Sequence, residues 1–389
     1  MKTLALLSGK GGSGKTTLGL TIASVLSKAG LNVLLIDSDF STHGATYFFE
    51  EQLPVNKQAI SFMKLLRSDE SIGDMLSEND RFIGVDKGFK FIPSVKQVSE
   101  SSEFKDSFDN NETKGRLKAF IEFLKDPLVD YFPKFDLVIF DCQAGMSSLL
   151  PSLLPCIDTT LMVLEPDKVS TAALRSLYTQ ISNYLTDRNV YQVFNKVDKE
   201  EQEFYKKLTF GTFFINVGAL LYDWSIRKAF AFSIIPNVDD EGLDYGLQIC
   251  DLCHTIIVDI EIRRIIDRYK ESLMIKKKSQ ELSKLREKVD IIKAKKRIHK
   301  VVLSISTIAI IIIIVSMLFY LNSLKKTYPY IIDNDMVWIF GLIILLLGSV
   351  ITYEIYCLVE PASSTQNKEL YRKVHDLEDE IANYSGRGE

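Results

Sequence analysis

A glycine-rich loop near the start of the chain has the sequence Gly9-Lys10-Gly11-Gly12-Ser13-Gly14-Lys15-Thr16-Thr17. It matches the pattern G-x-x-x-x-G-K-[ST], in which backbone N–H groups hold phosphates, the lysine reaches the β- and γ-phosphates, and the hydroxyl contacts Mg²⁺. An apolar run typical of a buried strand precedes the loop at Thr3–Leu7, and an apolar helical pattern follows it. This strand–loop–helix order predicts a phosphate-binding site formed by Gly11, Gly12, Ser13, Gly14, Lys15, Thr16 and Thr17.

Short apolar runs alternate with helical patterns over residues 1 to about 255. The runs predicted to be strands are Leu4–Leu7, Val33–Ile36, Leu137–Phe140, Thr160–Leu164, Tyr191–Phe194 and Ser233–Ile235. Each is short and rich in apolar and β-branched residues, as expected for parallel strands that helices cover on both faces. The alternation predicts an α/β fold with a doubly wound, mostly parallel sheet.

Composition limits the classes of protein to consider. The chain has 389 residues and a formal net charge of −4, so it carries no overall basic signal for nucleic acid. Its five cysteines form no framework and its N-terminus has no signal-peptide pattern, so we expect reduced thiols in a cytoplasm-facing domain. The segment Cys250-Asp251-Leu252-Cys253-His254 formally fits a c-type haem attachment, but both cysteines lie at helical spacing among apolar residues. Helix packing is the favoured interpretation.

Two more predicted strands end in carboxylates. Asp37 and Asp39 follow the apolar run Val33–Ile36, and Asp141 follows the run Leu137–Phe140. The carboxyl ends of parallel strands meet at the crevice where ligands bind, so we expect these acids beside the phosphate loop. An apolar strand that terminates in an acid is the Walker B pattern, which predicts that Asp141 holds Mg²⁺.

The early lysine, Lys10, gives the loop the form K-G-G-x-G-K-T. This form resembles the deviant Walker A motif of the ParA/MinD family of P-loop ATPases. The segment Asp37-Ser38-Asp39 is similar to the D-x-D motif of that family, and Asp141-Cys142-Gln143-Ala144-Gly145 resembles its D-x-P-A-G motif, with Gln143 in place of the usual proline. The resemblance covers roughly residues 1–255 and does not extend to the C-terminal part of the chain.

The resemblance implies a role for each matching residue. Lys15 and the loop amides would hold the phosphates of ATP. Lys10 would cross a dimer interface to the partner's nucleotide, and Asp39 would orient the attacking water. The remaining positions would serve the metal ion, namely Thr16, Asp37 and Asp141.

A further segment is a candidate for contacts with the nucleotide base, namely Asn195-Lys196-Val197-Asp198. It looks like N-K-x-D, the signature with which GTPases recognise guanine. In ParA/MinD-like proteins an Asn at this position meets adenine, and an I-P segment such as Ile235-Pro236 packs near the base. Lys10 and the D-x-D motif favour ATP over GTP, with Asn195, Lys196, Asp198 and Pro236 as the candidate base contacts.

The composition changes after the predicted nucleotide domain, which we assign to residues 1–257. A basic linker over 258–300 carries eleven Lys or Arg between Lys276 and Lys300, and Val301–Leu321 then runs for 21 residues without a charge. That length suits a transmembrane helix, and 336–358 is a second candidate. By the positive-inside rule, the nucleotide domain and the polar tail, 359–389, are expected in the cytoplasm, with the hairpin in the bacterial inner membrane.

The basic run has three open interpretations. Its charges could contact anionic lipid head groups, or they could serve only to set the topology. Nucleic-acid binding is the third, although the run lacks interleaved aromatic residues for stacking.

The sequence therefore predicts a membrane-anchored ATPase that dimerises on binding ATP and acts on an unknown protein partner. Three alternatives remain. Bacterial tyrosine kinases share the deviant loop and a membrane hairpin, but the hairpin usually precedes the catalytic domain there, and this tail carries only Tyr371 and Tyr384. The other two are a GTP-binding protein and a membrane scaffold that binds nucleotide without hydrolysing it.

Overall fold

The computed structural model describes residues 1–50, 59–76, 81–85, 88–96, 111–125, 134–185, 189–208, 214–327, 334–359 and 364–385. These form two compact units, Met1–Met274 and Ile275–Glu389. The predicted domain boundary at residue 257 stays a prediction.

The first unit is built on an eight-stranded sheet in the order β3-β4-β2-β5-β1-β6-β7-β8. The strands are β1 (Lys2–Leu7), β2 (Val33–Ser38), β3 (Ile83–Gly84), β4 (Lys90–Ile92), β5 (Leu137–Cys142), β6 (Thr159–Leu164), β7 (Asn189–Val197) and β8 (Ile215–Leu221). Only the short edge strand β3 pairs antiparallel, and β1 lies between β5 and β6. The predicted doubly wound, mostly parallel sheet is confirmed.

Ten helices of the described residues begin in this unit before the long C-terminal helix. They are α1 (Lys15–Lys28), α2 (Gly44–Phe48), α3 (Phe62–Arg67), α4 (Ile72–Leu76), α5 (Asn111–Lys125), α6 (Leu150–Leu153), α7 (Lys168–Ile181), α8 (Gln202–Lys207), α9 (Trp224–Ala231) and α10 (Leu243–Ile256).

Two hydrophobic clusters cover the two faces of the sheet. Ala5 and Leu7 of β1 join the cluster that includes α3, α5 and α7, whereas Leu4 and Leu6 join the cluster of α1 and α10. Because successive strand residues point to opposite faces, both sets must be apolar. This explains the uninterrupted apolar runs in the sequence. Cys250 and Cys253 are buried in the second cluster, as the helix-packing interpretation predicted.

One predicted strand is wrong. Residues 233–235 are irregular, Ser233 has a φ of 54°, and the side chain of Ile234 is 58% exposed. The edge strand is instead β8, in which Gly218 has a φ of 126° and the pairing with β7 is irregular. Glycine weakens a strand pattern and accompanies such irregularities, which is why this segment gave a poor signal in the sequence.

The second unit is helical. Helix α11 (Ile260–Thr327) begins in the first unit and continues through the basic and apolar segments, followed by α12 (Asn334–Val359) and α13 (Ser364–Ser385). Within the described residues α11 is long and apolar enough to cross a membrane on length and composition alone, and α12 contains a shorter apolar stretch, Gly341–Ile351. The second predicted span, 336–358, therefore stays a prediction. A Cβ added at Gly348 of α12 would lie 2.9 Å from Cγ2 of Ile310, so the two apolar segments pack closely at this point.

Candidate nucleotide-binding site

The glycine-rich loop connects the end of β1 to the first turn of α1. Gly12 and Gly14 have φ values of 83° and 86°, a left-handed conformation that glycine adopts without strain. Gly9 lies against the backbone of α7, where an added Cβ would be 2.3 Å from the carbonyl carbon of Ala173. The loop is therefore confined by its neighbours, and α1 begins directly at Lys15 with no side-chain hydrogen bond to cap its first turn.

Three carboxylates lie at the carboxyl ends of the neighbouring strands. Asp37 and Asp141 are partners in the parallel register of β2 and β5, and both are buried. Asp39 follows β2 and lines a cleft beside the loop. Its Oδ1 accepts hydrogen bonds from the backbone N–H groups of Ser41 and Thr42 at 3.0 and 2.8 Å, so it also orders the turn after the strand.

Asp37 and Asp141 are buried carboxylates whose pKa values are both raised. Burial, reinforced by the charge of Asp141, raises the pKa of Asp37 to about 7. Burial likewise raises the pKa of Asp141 to about 6, although the ammonium group of Lys15 acts against this rise. Asp37 accepts hydrogen bonds from the N–H and hydroxyl groups of Thr46, at 2.8 and 2.6 Å. Neither carboxylate oxygen of Asp141 has a hydrogen-bond partner among the described residues.

This arrangement fits a divalent cation. Buried carboxylate oxygens without donors are costly unless a positive charge compensates them, and Mg²⁺ prefers oxygen ligands. Thr16 and Asp141 would hold such an ion together, and the Thr16 hydroxyl is close enough to lower the pKa of Asp141. Asp37 lies beside them in register and would serve the same ion.

A cleft of about 560 Å³ opens beside the loop, a volume suited to a nucleotide. Of the predicted site residues, those that line it are Gly11, Gly12, Gly14, Lys15, Thr16, Thr17, Asp39, Asn195 and Lys196. The predicted residues outside the lining are Lys10, Ser13, Asp37, Asp141, Asp198 and Pro236.

Asn195 and Lys196 brace the phosphate loop from the end of β7. The Asn195 Nδ2 donates to the carbonyl oxygen of Ser13 at 2.9 Å, and the Lys196 ammonium group donates to the carbonyl oxygen of Gly12. Asp198, by contrast, is exposed. Its carboxylate is therefore not brought to the cleft with the other two residues of this motif.

No sequence motif indicated the residues at the far end of the cleft. Seven of the lining residues come from the end of β8, from α9 and α10, and from the chain between them, namely Leu221, Tyr222, Asp223, Ile226, Arg227, Phe230 and Tyr245. Asp223 is the N-cap of α9 and accepts from the N–H groups of Ser225 and Ile226. An Asp two residues before a Ser at the start of an apolar helical pattern is a capping signal that could have located this helix.

Lys10 lies outside the cleft and is paired within its own chain. Its ammonium group is 2.8 Å from a carboxylate oxygen of Glu165 and 2.9 Å from one of Asp167. These hydrogen bonds raise the pKa of Lys10. Glu165 also pairs with Lys196 at 2.7 Å, so one carboxylate connects the early lysine to the residue that braces the loop.

A glycine-rich loop between a central parallel strand and a helix, with buried carboxylates at the adjacent strand ends, defines a P-loop nucleotide-binding domain. The comparisons agree with this class. A family model described as an AAA domain matches residues 1–192. An uncharacterized ATP-binding protein of Methanocaldococcus jannaschii is 26% identical over 167 residues, which is 43% of this chain and 54% of that protein. The septum site-determining protein MinD of Synechocystis sp. is 26% identical over 147 residues, 38% of this chain and 47% of MinD.

The fold comparison points the same way. A putative plasmid partition protein of Borrelia burgdorferi, solved bound to AMPPNP, superposes with a TM-score of 0.51 and 20% identity over 64% of this chain and 96% of that chain. The N-terminal part of the chain thus has a P-loop fold similar to that of ParA/MinD-type proteins, as the motifs predicted. The chain spans about half the length of the curated relatives it matches.

Proposed function

We propose that the protein is a membrane-anchored ATPase in which ATP drives dimerisation and hydrolysis reverses it, so that it positions or regulates a protein partner. One observation carries the proposal. Lys15, Thr16 and Asp39 line a cleft of nucleotide size, and the buried carboxylates Asp37 and Asp141 lie in register at the same ends of the neighbouring strands. Such a set of residues can hold a phosphate chain and a metal ion and can place a water molecule in line with the γ-phosphate.

Each residue then has a defined task. Lys15 and the loop N–H groups bind the phosphates, and Thr16, Asp37 and Asp141 hold the metal ion. Bound Mg²⁺ supplies charge neutralisation on the β- and γ-phosphates. Asp39 positions the attacking water, because its carboxylate lies at the loop side of the cleft.

The cleft favours ATP over GTP. Recognition of guanine by an N-K-x-D motif needs the aspartate at the base, and Asp198 is exposed and outside the cleft lining. The far end of the cleft instead presents Tyr222, Arg227 and Phe230, whose rings and guanidinium group can pack on a purine face. The AMPPNP found in the Borrelia protein supports the same choice.

Dimerisation would require Lys10 to exchange partners. In the single chain Lys10 is paired with Glu165 and Asp167, so its charge is already compensated. The phosphates of a second protomer's nucleotide would offer Lys10 more negative charge than these two carboxylates, and a dimer interface would exclude water from the contact. The switch would then consist of Lys10 leaving Glu165 and Asp167 for the partner's nucleotide.

Replacing Lys10 by Ala should remove the dimer-dependent part of ATP hydrolysis while leaving ATP affinity within about twofold, because Lys10 does not line the cleft of its own chain. Phosphate release measured against protein concentration tests this. The matched control is Lys168→Ala, an exposed lysine beside Asp167. If Lys10→Ala hydrolyses ATP as fast as the parent at every concentration, the role of Lys10 is wrong.

The anchor is proposed to be a two-helix hairpin. The apolar part of α11 exposes large side chains all round, with Ile311, Ile312, Ile313 and Phe319 each more than half exposed, as lipid-facing residues would be. Close packing of α12 on α11 at Gly348 and Ile310 supports a paired second span, because small residues let membrane helices approach. Both segments would lie in the bacterial inner membrane with the nucleotide domain in the cytoplasm.

Replacing Gly348 by Leu should destabilise this helix pair by about 1–3 kcal/mol, since the new side chain would overlap Ile310. The measurement is the denaturation midpoint of the purified protein in a titration with sodium dodecyl sulfate. Gly341→Leu is the control, because an added Cβ there meets open space. Equal effects of the two substitutions would contradict the packing of α12 on α11.

The proposed activity is tested with the full chain in lipid nanodiscs, by measuring phosphate release and particle mass with ATP, GTP and no nucleotide. We expect Mg²⁺-dependent release from ATP and a doubled particle mass before hydrolysis. Phosphotyrosine on the tail would favour the kinase alternative. ATP binding without phosphate release would favour the scaffold, and a preference for GTP would overturn the base assignment.

A further inference from the structure

Helices α11 and α13 carry matching stripes of partly buried residues. On α11 the less exposed positions recur at alternating spacings of three and four, at Ile275, Lys278, Leu282, Leu285, Val289 and Ile292. On α13 the same spacing occurs at Asn367, Leu370, Val374, Leu377, Ile381 and Tyr384. A 3–4 alternation of mostly apolar residues is the pattern by which two helices pack as a coiled coil.

Ion pairs between the two helices set their direction. Lys278 lies 2.7 Å from Glu380, and its ammonium group is 4.5 Å from the ring centre of Tyr384. Arg286, further along α11, lies 2.5 Å from Glu378, which is earlier in α13. The helices are therefore antiparallel. The end of the α11 stripe that leads into the apolar segment faces the beginning of α13.

Charge is distributed unevenly along this coiled coil. We define its distal half as 275–287 with 374–385, and its membrane-proximal half as 288–300 with 364–373. The distal half contains five Lys or Arg and six Asp or Glu, so its charges balance across the two helices. The membrane-proximal half contains nine Lys or Arg and only two acids.

The two acids of the membrane-proximal half are already used within their own helices. Asp290 lies 3.8 Å from Lys293, and Glu369 lies 3.3 Å from Lys373. The other cations with described side chains are Lys288, Lys295, Arg297 and Lys300 on α11 and Lys368 and Arg372 on α13. Like charges at this spacing repel one another. A second source of negative charge at this position would relieve that repulsion. The position is directly next to the segment proposed to enter the bilayer, where phospholipid phosphates lie.

We propose that the membrane-proximal half of the α11–α13 coiled coil is a binding site for anionic phospholipid head groups. The inference rests on the proposed membrane anchor. Both helices of the site contribute, because the antiparallel ion pairs of Lys278 and Arg286 direct the first turns of α13, with Lys368, Arg372 and Lys373, toward the basic end of α11. The basic run thus does more than set topology, since α13 follows the membrane segments and still carries cations at the same level.

Head-group binding also gives the tail a defined place. Pairing of α13 with α11 needs both helices on one side of the membrane, so the chain between them must cross an even number of times. Anionic lipid would hold the membrane-proximal half together, and the ion pairs of Lys278 and Arg286 would hold the distal half. Helix α13 would then hold the basic part of α11 in a fixed position next to the anchor.

The test uses the full chain purified in micelles that contain equal amounts of phosphatidylcholine and phosphatidylglycerol, followed by extraction and quantification of the retained lipids. The parent should retain phosphatidylglycerol in excess. The double variant Lys295→Gln, Arg372→Gln should lose roughly half of that excess, because one cation is removed from each helix of the site. The matched distal variant Lys276→Gln, Lys284→Gln should retain it. Helix content by circular dichroism shows that both variants fold.

Loss of the excess in both variants, or in neither, would overturn the proposal. Duplex DNA offers a second test. If DNA displaces phosphatidylglycerol from the parent and the double variant at Lys295 and Arg372 no longer binds it, the site binds nucleic acid and the proposal is wrong. Carbonate washing of membranes distinguishes this failure from a failure of the anchor. A chain that resists carbonate but retains no anionic lipid contradicts only the lipid site, whereas a chain that washes off contradicts the anchor and the lipid site together.

Discussion

Replacing Asp39 by Asn should lower ATP hydrolysis on the order of 10²–10³-fold while ATP binding and ATP-dependent dimerisation persist. The substitution removes the charge that would position the attacking water. It keeps an oxygen that can still accept from Ser41 and Thr42, so the turn after β2 should remain ordered. Single-turnover phosphate release and a separate ATP-binding titration measure the two effects independently.

The competing explanation is that Asp39 only shapes this turn. The hydroxyl of Thr42 donates to Oδ2 of Asp39 at 2.6 Å, and Thr42→Ala removes that hydrogen bond without touching the carboxylate. We expect Thr42→Ala to retain most of the turnover. A loss as large as that of Asp39→Asn would show that loop order, rather than the carboxylate, limits the reaction.

Replacing Asp141 by Asn should abolish Mg²⁺-dependent hydrolysis and make the nucleotide-free protein more stable at neutral pH. Burial raises the pKa of Asp141 to about 6 from an ordinary value of 3.8. Between these pH values the folded chain binds a proton that the unfolded chain has released, so the stability of the parent falls as pH rises. Asparagine has no such titration. The variant should therefore gain about 1–3 kcal/mol over the parent at pH 7 and no advantage below about pH 4.

Thermal unfolding at the two pH values, without metal or nucleotide, measures this difference. Asp136→Asn is the control, because Asp136 lies directly before β5, the strand that carries Asp141. Its carboxylate accepts a hydrogen bond from the N–H group of Asn32 at 2.8 Å. It should give no gain in stability at pH 7 and no loss of hydrolysis. An Asp141→Asn variant that is less stable than the parent at pH 7 would contradict the uncompensated carboxylate.

The sequence predicted the parts of the fold that depend on local pattern. Strands such as β1 and β5 are covered on both faces, so their apolar runs are continuous and easily recognised. The left-handed glycines of the loop and the acids at the strand ends are likewise local features. β8 was missed because Gly218 and an irregular register interrupt its pattern, and 233–235 was mistaken for a strand because a short apolar run has no unique structure.

The remainder of the site depends on residues that are far apart in the sequence. Glu165 and Asp167 meet Lys10 although more than 150 residues separate them, and no periodicity indicates that pairing. The far end of the cleft is similar, since Tyr222, Arg227 and Tyr245 converge only when β8, α9 and α10 pack together. Asn195 and Lys196 line the cleft whereas Asp198 is exposed and outside its lining, so the role of this motif at the base stays a prediction.

The central claim is that Lys10 acts on the nucleotide of a second protomer, and a mixture of two inactive variants tests it most directly. Lys10→Ala retains Asp39 but lacks the lysine, and Asp39→Ala retains the lysine but cannot place the water. In a mixed dimer, the nucleotide of the Lys10→Ala protomer would meet its own Asp39 and its partner's Lys10. The mixture should therefore hydrolyse ATP far faster than either variant alone, whereas a mixture no faster than the sum of its parts would contradict the account.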